Sequence, residues 1–200
     1  MALINDDKKY IFFHLYKCGG NSFRTILSGN EYGGVHSNPK EIKQLLNSSN
    51  SNIFNDYFKF TIIRNPFDWL LSTYFYIINT SHNLNSIVKK MNFNEFLVYY
   101  VNEMMLNLNK PIGSNKVVNL FEYITDENSN VILDYVGKYE NIDSEAKIIC
   151  EKIGIPFHKL PLKNVNINKD KDYRKYYNSE SIEFVQTYFK KDLEYFNYKF

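Results

Sequence analysis

Two short runs of the chain are apolar at nearly every position. Tyr10-Ile11-Phe12-Phe13-His14-Leu15 is the first, and Gly19-Gly20 follow it closely. Phe58-Lys59-Phe60-Thr61-Ile62-Ile63 is the second, and Arg64-Asn65-Pro66 follow it directly. Short apolar runs rich in aromatic and β-branched residues predict strands covered on both faces. Helical spacing follows each. From Asn21 to Leu27, Phe23, Ile26 and Leu27 share one side, and Gly29 is a stop signal. After the second run, Asn65 can cap and Pro66 suits a first helical position, so a helix is expected from Pro66 towards Asn79. Further helical patterns occur at 92–102, 143–153 and 179–189, with a third strand expected between Val131 and Tyr139. Strands alternating with helices predict the α/β class. The expected architecture is a three-layer sandwich with a central, mostly parallel sheet flanked by helices, forming one domain over residues 1–200.

Composition narrows the choices without redirecting them. With 44% hydrophobic and 23% charged residues, the 200-residue chain is neither disordered nor fibrous. A formal charge of +2 is too balanced to imply a nucleic-acid footprint, so any anion site must be local. Cys18 and Cys150 are too few for a disulfide framework and fit a reducing compartment. No apolar run is long enough for a signal core or a membrane span, and a cytoplasmic location is expected. Asparagine, lysine, isoleucine, tyrosine and phenylalanine are used heavily throughout, which reads as a compositional habit of the source.

Two motifs carry chemistry. Tyr16-Lys17-Cys18-Gly19-Gly20-Asn21-Ser22 lies between a strand and a helix. Glycines let backbone approach an anion closely, and free N–H groups at a helix start point towards it. Lys17 adds a positive charge, and Asn21 and Ser22 add side-chain donors. Lys17 precedes the glycines instead of following them, so this is not the Walker pattern of nucleotide kinases. In the second motif, Arg64-Asn65-Pro66-Phe67-Asp68-Trp69-Leu70-Leu71-Ser72, Arg64 sits at the carboxyl end of a strand. Open α/β sheets bind ligands there, and the guanidinium fork suits phosphate. Taken singly, each feature has an ordinary reading: a glycine turn, a surface ion pair, a helix serine bonded to its own backbone.

Together the two motifs resemble the sulfotransferases that use 3′-phosphoadenosine-5′-phosphosulfate (PAPS). Tyr10–Ser22 is similar to their 5′-phosphosulfate loop, a strand then P-K-[TS]-G-[GS]-[TS]-[ST]. Phe60–Ser72 is similar to their 3′-phosphate motif, a strand then R-N-P-x-D-R-x-x-S. Asp134-Tyr135-Val136-Gly137-Lys138-Tyr139-Glu140-Asn141 resembles the D-x-I-G-R-Y-E-N segment of the carbohydrate branch, which includes heparan sulfate 2-O- and chondroitin 4-O-sulfotransferases. The tail from Asp172 to Phe200 resembles that branch's usual ending. The resemblance implies a P-loop-like sandwich and PAPS as donor, with 3′-phosphoadenosine-5′-phosphate (PAP) as product and no metal. It places Lys17 at the bridging oxygen, and Cys18, Gly19, Gly20, Asn21 and Ser22 around the 5′-phosphate. Arg64 and Ser72 would hold the 3′-phosphate and Tyr139 would lie near the adenine. The loop Lys163–Asp172 would close over the nucleotide, with Lys169 towards the 3′-phosphate. This chain departs from the pattern at Tyr16 for Pro, Cys18 for Thr or Ser, Asn21 for Thr or Ser, and Trp69 for Arg.

Transfer to a hydroxyl needs a base. Of four histidines, His36 falls between the two motifs, where the carbohydrate branch keeps its catalytic histidine. A neutral imidazole with a reference pKa of about 6.5 suits proton abstraction. Glu31 is the reserve, and His14 reads as a core residue. The implied acceptor is a hydroxyl, by resemblance one on a carbohydrate. Two other classes stand beside this reading. A catalytically degenerate nucleotide-binding module would bind PAP without turnover, and an atypical P-loop phosphotransferase would require Mg²⁺. A redox or nucleophilic Cys18 is a further reading of the first loop.

Overall fold

The computed structural model describes residues 2–33, 37–102, 119–161, 170 and 172–200. Contacts gather in two compact units, one formed by residues 1–64 and 111–163, the other by residues 65–110 and 164–200.

The first unit holds the sheet. Its strands are β1 (Ala2–Asn5), β2 (Tyr10–Phe13), β3 (Asn30–Tyr32), β4 (Phe58–Ile63) and β5 (Tyr135–Lys138), in spatial order β3-β1-β2-β4-β5. The two expected apolar runs are neighbours at its centre. They pair in parallel, with Tyr10 beside Phe58 and Phe12 beside Phe60. β5 continues in parallel on the other side of β4. β1 and β3 add antiparallel pairings, so the sheet is mixed where a mostly parallel one was expected. β1 escaped prediction because its apolar stretch is only Ala2-Leu3-Ile4, ahead of Asp6-Asp7-Lys8-Lys9. Those four residues make the hairpin turn. The Asn5 side chain accepts the Lys8 N–H at 2.7 Å, and Lys9 takes a left-handed φ of 51°.

Side-chain alternation along β2 and β4 creates two faces. On one, Tyr10, Phe12, Phe60 and Ile62 form a core with Phe23 and Leu27 and with Ala146, Ile149 and Ile153. These belong to α1 (Gly20–Phe23) with the turns that follow it, and to α8 (Ile142–Ile153). On the other face, the Phe13 ring meets Phe54 of α3 (Ile53–Asp56) at 6.3 Å, and α2 (Pro39–Ser48) packs on α3. Helices therefore cover both faces of the sheet, giving the expected three layers within this unit. α7 (Leu120–Ile124) precedes β5. The strand expected over Val131–Tyr139 is shorter. Val131 makes an isolated bridge to Thr125, and Tyr139 turns into a 3-10 helix, Tyr139–Asn141. Asp134 fastens the start of β5 to β4. It accepts the Lys59 N–H at 2.7 Å, donates its own to the Lys59 carbonyl at 2.8 Å, and pairs with the Lys59 ammonium at 2.8 Å.

The second unit is helical: α4 (Pro66–Asn79), α5 (Asn85–Val88), α6 (Phe93–Tyr100), a 3-10 turn Tyr173–Tyr176, α9 (Ser179–Tyr188) and α10 (Lys190–Tyr195). Its core is aromatic, with Phe67, Trp69, Phe96 and Phe189 fully or almost fully buried. The chain's asparagine habit has a structural use in both units. Asn38, Asn65, Asn92, Asn119 and Asn178 each sit at a helix N-cap and accept a backbone N–H.

Candidate functional site

The β2–α1 connection is a tight loop held by its own backbone. The Leu15 N–H donates to Phe13 O at 3.1 Å and the Cys18 N–H to Leu15 O at 3.4 Å. Lys17 adopts φ 59° and Gly19 φ 80°, both left-handed. The Ser22 and Phe23 N–H groups donate to Gly19 O at 2.9 and 3.2 Å, so the Gly20 and Asn21 amides lie ahead of the first bond of α1. Regular helix stops at Phe23, and turns carry the chain to Leu27. One turn of helix supplies little dipole. Any anion held here relies on loop amides and side-chain cations, which corrects the longer helix expected over 21–27.

The glycines also have packing reasons. A Cβ on Gly19 would come within 2.7 Å of Ile142 and 2.9 Å of the Tyr139 ring. One on Gly20 would fall 2.0 Å from the His14 imidazole. His14 itself lies beside Phe12, rings stacked at 6.2 Å, as a residue supporting the loop from below.

Arg64 leaves the end of β4 and is only 8% exposed. Its Nη1 donates to the Lys17 carbonyl at 3.2 Å, and its guanidinium carbon lies 4.2 Å from the Tyr139 ring centroid. The first unit thus brings together four expected site residues, Lys17, Gly19, Arg64 and Tyr139. Asn21 is exposed beside them and Ser22 is buried. Cys18 is different. The residue is 1% exposed and its N–H donates to the Leu15 carbonyl, so its side chain packs beneath the loop. Glu31 is paired with Arg24, which weakens it as a reserve base. His36 and Lys169 lie outside the described residues, as does most of the loop 163–172.

In the second unit, Ser72 is half-buried on α4, two turns beyond its start. Asn65 organises that start. Its Oδ1 accepts the Phe67 N–H at 3.1 Å, and its Nδ2 donates to the Tyr173 hydroxyl at 3.3 Å and to the Lys199 carbonyl at 2.9 Å. Phe67 is ringed by Tyr173, Tyr177 and Phe200, and the Tyr177 hydroxyl donates to the Phe67 carbonyl at 2.8 Å. Burial pushes the Tyr177 pKa well above its ordinary value, so it remains a donor across the usual pH range. This clamp was not foreseen; the spacing Tyr173, Tyr176, Tyr177, Phe200 was its only signal. The tail aromatics Phe189 and Phe200 pack on Trp69 and Phe67 of α4, as structural residues. Replacing Asn65 with alanine should remove the cap and strand two partners. The expected cost is about 1–2 kcal/mol, read as a fall in thermal midpoint of several degrees. An unchanged midpoint would show that these three bonds are weak.

Among the described residues, no group of three or more His, Cys, Asp or Glu side chains could hold a metal. No described helix is long and apolar enough to cross a membrane. Against known proteins, the chain is 29% identical over 127 residues to an uncharacterized protein of Archaeoglobus fulgidus, covering 62% of this chain and 88% of that one. No solved structure matches. A model of the sulfotransferase family matches residues 1–199. The lysine loop, the strand-end arginine and the whole-length match agree: this chain belongs to the sulfotransferase family.

Proposed function

We propose that residues 1–200 act as one sulfotransferase domain that moves the sulfuryl group of PAPS to a hydroxyl, on a carbohydrate acceptor. The observation that carries this reading is the meeting of the two motifs. Arg64 of the R-N-P motif reaches the backbone of Lys17 in the glycine loop, so a cation and loop amides face one small region. A nucleotide with anionic groups at both its 5′ and 3′ positions suits that arrangement, because clustered donors at a strand end match phosphate oxygens. Gly19, Gly20, Asn21 and Ser22 would hold the 5′-phosphate. Arg64 and Ser72 would hold the 3′-phosphate, with Lys169 closing on it and Tyr139 near the adenine.

The reaction is an in-line displacement. His36 takes the proton of the acceptor hydroxyl, and the oxygen forms a bond to sulfur. The bond from sulfur to the bridging oxygen breaks, and PAP departs carrying the electron pair. Lys17 offsets the charge that grows on that oxygen. No step needs a metal.

Calorimetric titration of PAP, without metal, tests the donor site. Wild type should bind, and Arg64→Ala should bind more than tenfold more weakly, a difference of about 1.4 kcal/mol or more. No binding by wild type would overturn the sulfotransferase reading. Equal binding by both proteins would remove Arg64 from the site.

A further inference from the structure

Lys17 stands in a conformation that side chains with a Cβ seldom adopt, at φ 59°. Such a residue persists when its surroundings hold it. Three contacts converge here. The Arg64 guanidinium donates to the Lys17 carbonyl, its carbon lies 4.2 Å from the Tyr139 ring centroid, and the same ring closes against Gly19, two residues along the loop. Arg64 itself is fixed by its place at the end of β4, whose neighbour β5 delivers Tyr139 from the other side.

The geometry points to a second duty for Arg64 and Tyr139: together they form a latch that grips the backbone of Lys17 and sets where its ammonium points. A guanidinium has five donors in a planar fork. One of them holds the Lys17 carbonyl. Both are then positioning residues for Lys17, beyond any contact with the donor. The catalytic consequence rests on the sulfotransferase reading; the latch itself does not. It is made of the protein's own contacts.

The test therefore starts without nucleotide, by hydrogen exchange of peptides covering residues 14–23. Tyr139→Leu removes the aromatic ring, and its loop amides should exchange at least tenfold faster than wild type. Tyr139→Phe keeps the ring and should keep the protection. Peptides over 58–63 should be unaffected in both and report on folding. If Tyr139→Leu loosens those as well, Arg64→Lys, which lacks the planar fork, decides on the same criterion. Wild-type exchange across 14–23 in the deciding variant would overturn the latch. A kinetic readout follows. With PAPS saturating, Tyr139→Leu should release PAP at least tenfold more slowly, whatever rise in KM for PAPS accompanies the loss of its place near the adenine. A raised KM with unchanged turnover would reduce Tyr139 to a nucleotide contact and overturn its positioning role. Failure of wild type to bind PAP would instead overturn the proposed function, leaving the exchange result to stand alone.

Discussion

Replacing Lys17 with alanine is expected to slow PAP release from PAPS by about 10²–10³-fold. The reasoning separates side chain from backbone. Arg64 holds the Lys17 carbonyl, which alanine retains. Alanine also carries a Cβ, so the left-handed φ of 59° is no harder or easier to hold. Loop geometry should survive, and what disappears is the one ammonium that the proposed mechanism sets beside the departing oxygen. A preorganised charge aimed at a developing charge lowers the barrier by about 2.7–4 kcal/mol. The ground-state nucleotide keeps its loop amides and Arg64, so PAP affinity should fall by less than tenfold. Single-turnover measurement of PAP release, paired with calorimetry, checks both. Turnover within threefold of wild type would show that Lys17 does not support the leaving group.

The sequence exposed those parts of this molecule whose physics is local. A run such as Tyr10–Phe13 has one stable use, a covered central strand, and Asn65-Pro66 is a helix start by chain geometry alone. Arg64 could be placed at a strand end for the same reason. What stayed hidden depends on partners far along the chain. β1 is three apolar residues before four charged ones, and becomes a strand only because β2 and β3 lie on either side of it. The Lys17 carbonyl meets a residue 47 positions away, and Asn65 meets Tyr173 and Lys199, 108 and 134 positions away. Nothing in local spacing encodes such meetings. Cys18 shows the converse. Its neighbours in sequence suggested an activated thiol, whereas the fold leaves it 1% exposed, and burial is a property that local spacing does not encode.

Restoring the family's arginine at position 69 is expected to destabilise the protein, not to strengthen its donor site. The departure of Trp69 from the R-N-P-x-D-R-x-x-S pattern reads, in sequence, as a missing phosphate donor. In the structure Trp69 is 2% exposed, edge-on to Tyr100 at 6.1 Å and to Phe189 at 6.2 Å. Its ring is central to the packing of α4 with α6 and the end of α9. Deleting a buried tryptophan costs about 3–5 kcal/mol, and an unpaired buried guanidinium adds several more. Total stability for a domain is about 5–15 kcal/mol. Trp69→Arg should therefore lower the thermal midpoint by at least 10 °C, at about 2–4 °C per kcal/mol for a chain of this size. Trp69→Phe keeps the aromatic contact and should fall much less. The contrast identifies the cause, because lost volume alone would rank both variants by size, whereas a buried charge singles out arginine. A folded Trp69→Arg protein with an unchanged midpoint and tighter PAP binding would reverse the assignment and make position 69 part of the donor site. The expected result instead makes the tryptophan a committed core residue, because its aromatic, buried surroundings offer an arginine no polar partner in place of water.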